Sequence, residues 1–238
     1  MKAEEIETQI KLEKSHFYFK NKRKLIKGIL NRLQCSKILE IGTGAGVLSS
    51  QIRKKHPSIE LHGVEIDKAF YNVVKQKKIF NQLTLGAFEE YKTKEQFDLI
   101  IMLDVLEHLQ NDNEAVKKLF NLLSPKGHLV MTVPAYQFMF SYHDKILNHY
   151  RRYSRKALKK VLKENGMKVR KMTYFNSYLF PPLFLIRILF PNKNKSDTGA
   201  ASSLGFLFEM IGALENKWIQ DGGYVPFGTS LLAICQKE

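Results

Sequence analysis

The 238 residues carry 38 Lys and Arg against 23 Asp and Glu, a net charge of +15, with 44% hydrophobic residues. That length and apolar content predict one domain with a real core, and the lack of any uninterrupted apolar run of about 18 residues argues against a spanning helix. Cys35 and Cys235 have no CxxC partner, so no metal-ligating set is expected, and both read as buried free thiols of a reducing cytoplasm.

The opening MKAEEIETQIKLEK is charged and has no apolar core, so it is not expected to be a secretory leader. Residues 3–33 read as one or two helices, with Phe17, Phe19, Leu25, Ile26, Ile29, Leu30 and Leu33 on the apolar face. The aromatic run His16–Phe19 suits either a lid over a ligand or plain packing. Two blocks are strongly basic: residues 11–37, whose single acid is Glu13, and residues 145–171, whose single acid is Glu164. Such blocks suit an anionic partner (nucleic acid, a phosphate-bearing substrate or an acidic membrane) or a merely solvated surface.

Lys37–Gly46 (KILEIGTGAG) predicts a strand, a glycine turn and, from Val47 to Lys55, a helix. Gly42, Gly44 and Gly46 permit positive φ and close approach of a ligand to the backbone. The spacing is GxGxG, with Val47 where a dinucleotide loop has its third glycine. Glu40 precedes the turn, and its carboxylate would repel a phosphate but attract an ammonium or sulfonium. Glu60–Glu65 predicts a second strand ending in an acid able to accept ribose hydroxyls. Asp67 suits the cap of a helix over Lys68–Lys77.

Gln82–Leu85 predicts a third strand and Phe97–Met102 a fourth, buried on both faces. A helix beginning at Asp112 or Asn113 is expected to end at Ser124–Gly127, before a fifth strand over His128–Val133. Ala135–Ser154 lacks periodicity but concentrates Tyr142, His143, Asp144, His149, Arg151 and Arg152 beyond a strand end, where ligands of open sheets bind. A basic helix (Arg155–Glu164), a sixth strand (Met167–Phe175), an apolar run (Tyr178–Phe190), a loop (Pro191–Ser203), a helix (Leu204–Lys217) and a last strand (Thr229–Gln236) complete the reading. The run over 178–190 is too short and broken to span a bilayer, and suits core packing or a lipid surface.

Glu40-x-Gly42-x-Gly44-x-Gly46 resembles the first motif of class I S-adenosylmethionine (SAM) methyltransferases. FDLI at Phe97–Ile100 followed by VLEHL at Val105–Leu109 resembles the fourth-strand motif of members acting on small molecules and lipid precursors. The stretch from His143 through His149-Tyr150-Arg151-Arg152-Tyr153-Ser154 and the closing PFGTSLLAICQK resemble a subgroup whose acceptor is unassigned. The resemblance implies an α/β, three-layer Rossmann-like fold: a seven-stranded, mostly parallel sheet with an antiparallel last strand, N-terminal helices and a helical insertion before that strand. Residues 1–34 would then be a helical lid, 35–175 the core, 176–227 the insertion and 228–238 the last strand.

It also implies SAM as cofactor, held by Glu40, Gly42, Gly44, Gly46, Glu65, Ala87, Phe88, Leu103 and His108. Ala87 departs from the family, which commonly has an acid there for the adenine, so that Phe88, backbone N–H groups or Glu89 would take its place. The acceptor would be a small or lipid-linked molecule, anionic in one version and drawn from an acidic membrane in another, met by Tyr142, Arg151 and Arg152. His143 or His149 would serve as general base with Asp144 orienting it, His108 being the other candidate. RNA methylation and a non-catalytic SAM-binding role are the alternatives. A nicotinamide enzyme is disfavoured by Glu40 and Val47.

Overall fold

The computed structural model describes residues 3–189 and 205–238; the loop expected over Pro191–Ser203 lies outside them. Two helices open the chain, α1 (Ala3–Ser15) and α2 (Phe17–Leu30). His16 separates them and accepts from the Tyr18 N–H through Nδ1, so part of the aromatic run is a helix cap. β1 (Lys37–Ile41), α3 (Val47–Lys55), β2 (Glu60–Glu65), α4 (Lys68–Gln76) and β3 (Gln82–Leu85) follow. Asp67 caps α4 as expected, accepting from Ala69 and Phe70 N–H at 2.7 and 3.1 Å. Then come β4 (Phe97–Leu103), α5 (Asp112–Leu122), β5 (Leu123–Pro134), α6 (Tyr142–Ile146), α7 (Arg155–Glu164), β6 (Met167–Phe175), α8 (Phe180–Leu189), α9 (Gly205–Gln220) and β7 (Ser230–Lys237).

Among the described residues the strands form one seven-stranded sheet, in the order β3-β2-β1-β4-β5-β7-β6. The first five are parallel, and β7 runs antiparallel between β5 and β6. This is the mostly parallel, Rossmann-like sheet with an antiparallel last strand that the motifs implied. β1 and β4 lie at its centre, which explains why their residues from Ile38 to Ile41 and Leu99 to Met102 are buried without alternation. α4 packs on β2 and β3, α5 on β5, α7 and α9 on β6, and α2 lies against α9.

Three details differ from expectation. Ser124–Gly127 is not a turn but the start of β5, paired to β4 across a register shift between Phe97 and Leu99; Lys126, at φ 63, absorbs the irregularity. Asn111 is the cap of α5, accepting from Glu114 N–H at 3.2 Å. Cys35 is only half-buried, because it sits in the connection entering β1, whereas Cys235, inside β7, is fully buried.

Candidate functional site

The three turn glycines adopt φ of 75°, 51° and 65°, so the loop between β1 and α3 requires the residue type found there. Glu65, at the end of β2, folds back over this loop. Its Oε2 accepts from the Gly44 N–H at 2.8 Å and the Thr43 hydroxyl at 3.1 Å, and its Oε1 from the Asp67 N–H at 3.0 Å. Glu40 is buried in β1, and its Oε2 has no hydrogen-bond partner among the described residues. A third carboxylate arrives from α1, where Glu13 Oε2 accepts from the Ala45 N–H at 3.0 Å. Desolvation raises the proton affinity of all three, and repulsion from Glu65 and Glu13 adds to the effect at Glu40. Such a loop is poorly suited to a phosphate and well suited to a cation bearing hydroxyls.

Beyond β3, Ala87 opens a short turn over Phe88–Glu90, and the Phe88 ring is buried. The Lys118 ammonium lies 4.9 Å from the centre of that ring and donates to the Phe88 and Glu89 carbonyls. Glu89 lines an open groove of about 590 Å³ with Lys92, Lys94 and Lys118.

At the carboxyl end of β4, Leu103 is half-buried beside Thr132, and Asp104 adopts a left-handed φ of 53°. Asp104 accepts from Thr132 Oγ1 at 2.7 Å and pairs with Lys22 of α2. The following turn carries Glu107 and His108. Glu107 has no exposed surface, and neither of its carboxylate oxygens has a hydrogen-bond partner in another described residue. Burial and the nearby Asp104 raise its proton affinity well above the ordinary range.

The loop after β5 closes over this turn. The Tyr150 N–H donates to the Glu107 carbonyl at 2.8 Å, and the His108 and His149 rings lie 4.6 Å apart. Asp144, fully buried in α6, lies 2.9 Å from His149 Nδ1 and accepts from Arg152 Nε at 2.7 Å and the Ser141 N–H at 2.8 Å. These donors hold its carboxyl far below the ordinary range despite burial. Of the two histidines anticipated beside Asp144, His149 lies against it from the following loop, and His143 precedes it on α6. Arg151 pairs with Asp112 at 3.2 Å and donates to the Gln110 carbonyl; Arg152 is tied to Asp144. Tyr142 is exposed.

The glycine loop, Glu40 and Glu65 thus gather at the end of β1, and His108, Asp144 and His149 gather beyond β4. Three participants were missed. Glu13 was legible only as the lone acid of a basic block, Lys22 looked like one lysine among many, and Glu107 was hidden inside a motif taken whole.

Over residues 13–172 the chain matches the family model described as a methyltransferase domain. It is 31% identical over 97 residues to malonyl-[acyl-carrier protein] O-methyltransferase of Priestia megaterium, covering 40% of this chain and 35% of that one. It is 25% identical over 100 residues to ubiquinone biosynthesis O-methyltransferase of Pseudomonas fluorescens, covering 39% and 42%. The chain therefore spans less than half the length of these relatives. The N-methyltransferase NodS of Bradyrhizobium japonicum WM9, in complex with S-adenosyl-L-homocysteine, has a similar fold at a TM-score of 0.59 and 16% identity, over 98% of this chain and 97% of that one. The plantazolicin methyltransferase BpumL in complex with the same product is similar at a TM-score of 0.64 and 13% identity, over 99% and 90%. With two thirds of its length inside the family model, the chain belongs to the methyltransferase domain family.

Proposed function

We propose that the protein is a SAM-dependent methyltransferase acting on a small or lipid-linked acceptor by O- or N-methylation. The observation that carries the cofactor is the ring of Glu13, Glu40 and Glu65 around the glycine loop, a set that fits a sulfonium, an ammonium and ribose hydroxyls and would repel a pyrophosphate. Glu65 would hold the ribose, Gly42, Gly44 and Gly46 would let the ligand reach the backbone, and Ala87, Phe88, Leu103 and His108 would line the remainder. SAM supplies an electrophilic methyl group. The protein's own task is to hold acceptor and methyl in line, where orientation alone contributes several kcal/mol. His149, steered by Asp144, is the group assigned to accept the acceptor's proton, with Tyr142, Arg151 and Arg152 around the entrance; Asp144 and Asp112 already engage the two arginines, so they shape this entrance more than they neutralise an anion. In this reading α1 and α2 are the lid.

The relatives' names, malonyl-[acyl-carrier protein] O-methyltransferase and ubiquinone biosynthesis O-methyltransferase, favour a small or carrier-linked acceptor over RNA. A membrane source is supported by α9, where Phe206, Met210, Leu214 and Trp218 recur every fourth residue at 79%, 50%, 70% and 61% exposure. α7 adds exposed Arg155, Lys156, Lys159, Lys160 and Lys163, and apolar burial combined with basic charge is the usual pairing for reversible binding to an acidic surface. Methyl transfer from labelled SAM to cell extract, split into lipid, small-molecule and RNA fractions, tests the assignment. Label in the RNA fraction alone would replace it, and no label in any fraction together with no SAM binding would end it.

A further inference from the structure

We propose that Glu107, His108 and His149 form a site for a first-row divalent cation of the kind that takes nitrogen as well as oxygen ligands, such as Zn²⁺ or Co²⁺. One ligand atom from each residue lies within 4.8 Å of the other two, so small side-chain rotations would bring all three to the roughly 2.0–2.2 Å such ions require. Neither sequence spacing nor the family motif suggested this set, because His149 is brought in from a distant loop.

The strongest sign is Glu107. A carboxylate without solvent exposure and without a hydrogen-bond partner in another of the described residues is costly. It must be neutralised by a proton or by a cation. The neighbouring basic side chains are engaged elsewhere: Lys22 with Asp104, and Arg152 with Asp144 and the Ala135 carbonyl. The Glu107 carboxylate instead lies within 4.8 Å of a ring nitrogen of each of two imidazoles.

One of those imidazoles, His149, is already oriented as ligands usually are. His149 Nδ1 lies 2.9 Å from Asp144 Oδ1, which leaves Nε2 for a metal. The backbone of Leu147 and Asn148 lies beside His108. A carboxylate or carbonyl behind a histidine fixes its tautomer and strengthens its metal bond. The rings stand at 83° to each other, so their lone pairs can converge without the rings colliding. Two nitrogens and one oxygen favour Zn²⁺, Co²⁺ or Fe²⁺ over Mg²⁺ or Ca²⁺.

A bound cation would tie the turn after β4 to the loop after β5, and three protein ligands leave a position for an acceptor oxygen. That last use rests on the methyltransferase reading; the binding itself does not. With a cation present His149 is a ligand and not a free base, and polarisation of the bound oxygen would ease loss of its proton to solvent.

The test uses the full chain, stripped with a chelator and titrated with Co²⁺ followed by its visible absorption, then with Zn²⁺ in competition and Mg²⁺ in a separate arm. The expected result is one Co²⁺ per chain, displaced by Zn²⁺ and not by Mg²⁺. Affinity should fall at least 100-fold in Glu107→Gln and in His108→Ala, the second serving if the first fails to fold. Asp144→Asn should weaken binding by about 10–100-fold while keeping the spectrum. No stoichiometric Co²⁺ or Zn²⁺ binding by the wild type, wild-type affinity in both ligand variants, or preference for Mg²⁺ would overturn the site. Methyl transfer is not read, so failure here leaves the methyltransferase reading standing, and failure of that reading leaves this result intact.

Discussion

Lys22 Nζ of α2 lies 2.5 Å from Asp104 Oδ2 at the end of β4, joining the N-terminal helices to the centre of the sheet. The lysine side chain is 9% exposed, and Asp104 also accepts from Thr132. Burial alone would lower the lysine's proton affinity; the adjacent carboxylate outweighs it, so the ammonium keeps its proton throughout the physiological range. Lys22 likewise holds the Asp104 carboxyl below its ordinary range, so the stability from Asp104 is present at neutral pH and lost as pH falls toward that lowered value.

Lys22→Met should therefore be costly, because it leaves a partly buried carboxylate with one neutral donor. Breaking such a pair costs about 3–5 kcal/mol, and the lower end applies here because a quarter of the Asp104 side chain (25%) still meets solvent. At roughly 2–4 °C per kcal/mol, the melting temperature should fall by about 6–12 °C. Adding Asp104→Asn to the first change should recover part of the loss. A melting temperature within a degree or so of wild type would mean the pair is not formed in solution.

Cofactor binding should depend on the acids at the glycine loop. Glu65→Ala should weaken SAM and its demethylated product by at least tenfold in calorimetry, with no NAD binding by either protein. Gly44→Val should abolish binding, since the added side chain meets Glu13 Oε1 at 3.0 Å from a backbone φ of +51°. Tight NAD binding with no SAM binding would refute the cofactor assignment.

The same acids give the binding a pH signature. Glu13, Glu40 and Glu65 hold their protons above the ordinary carboxylate value of 4.5, chiefly through burial. Between the unfolded and folded values the native state binds more protons, so the ligand-free protein should lose stability as pH rises through that window. A cationic ligand prefers the ionised acids, so SAM affinity should increase over the same window, with proton release on binding. Melting curves with and without SAM between about pH 5 and about 8 check both signs. Affinity that falls with rising pH would contradict the assignment.

His149→Ala should lower turnover by about 10²–10⁴-fold if the residue handles the acceptor's proton, while SAM affinity changes little. His143→Ala should be milder if His149, the histidine seen against Asp144, is the one that takes the proton. Steady-state kinetics and calorimetry on the two variants decide between them, and wild-type turnover in the double variant would remove both from the reaction.

Acidic vesicles should pellet the protein at low salt, and neutral vesicles should not. Leu214→Ser, on the exposed stripe of α9, should reduce pelleting without lowering the melting temperature, because the side chain is 70% exposed. Pelleting unaffected by this change would leave the basic surface alone responsible, and none at low salt would point to a soluble acceptor.

The order of elements was legible in the chain because it rests on local rules. Glycines at 42, 44 and 46 mark a turn that only they can make comfortably, the continuous apolar run at Phe97–Met102 marks a central parallel strand, and Asp67 caps the helix it precedes. Glu40 and Glu65 were legible too, being fixed relative to that turn. No residue of the chain helix-by-helix could reveal what long-range packing supplies. Glu13 and Lys22 acquire meaning only when α1 and α2 fold back on the ends of β1 and β4, across 32 and 82 residues of sequence. The contact between Asp144 and His149 likewise depends on how the loop after α6 folds back on that helix. The isolation of Glu107 among the described residues could not be read at all from sequence, since burial without a partner depends on how every neighbouring donor has been used, and that is decided only by the tertiary structure.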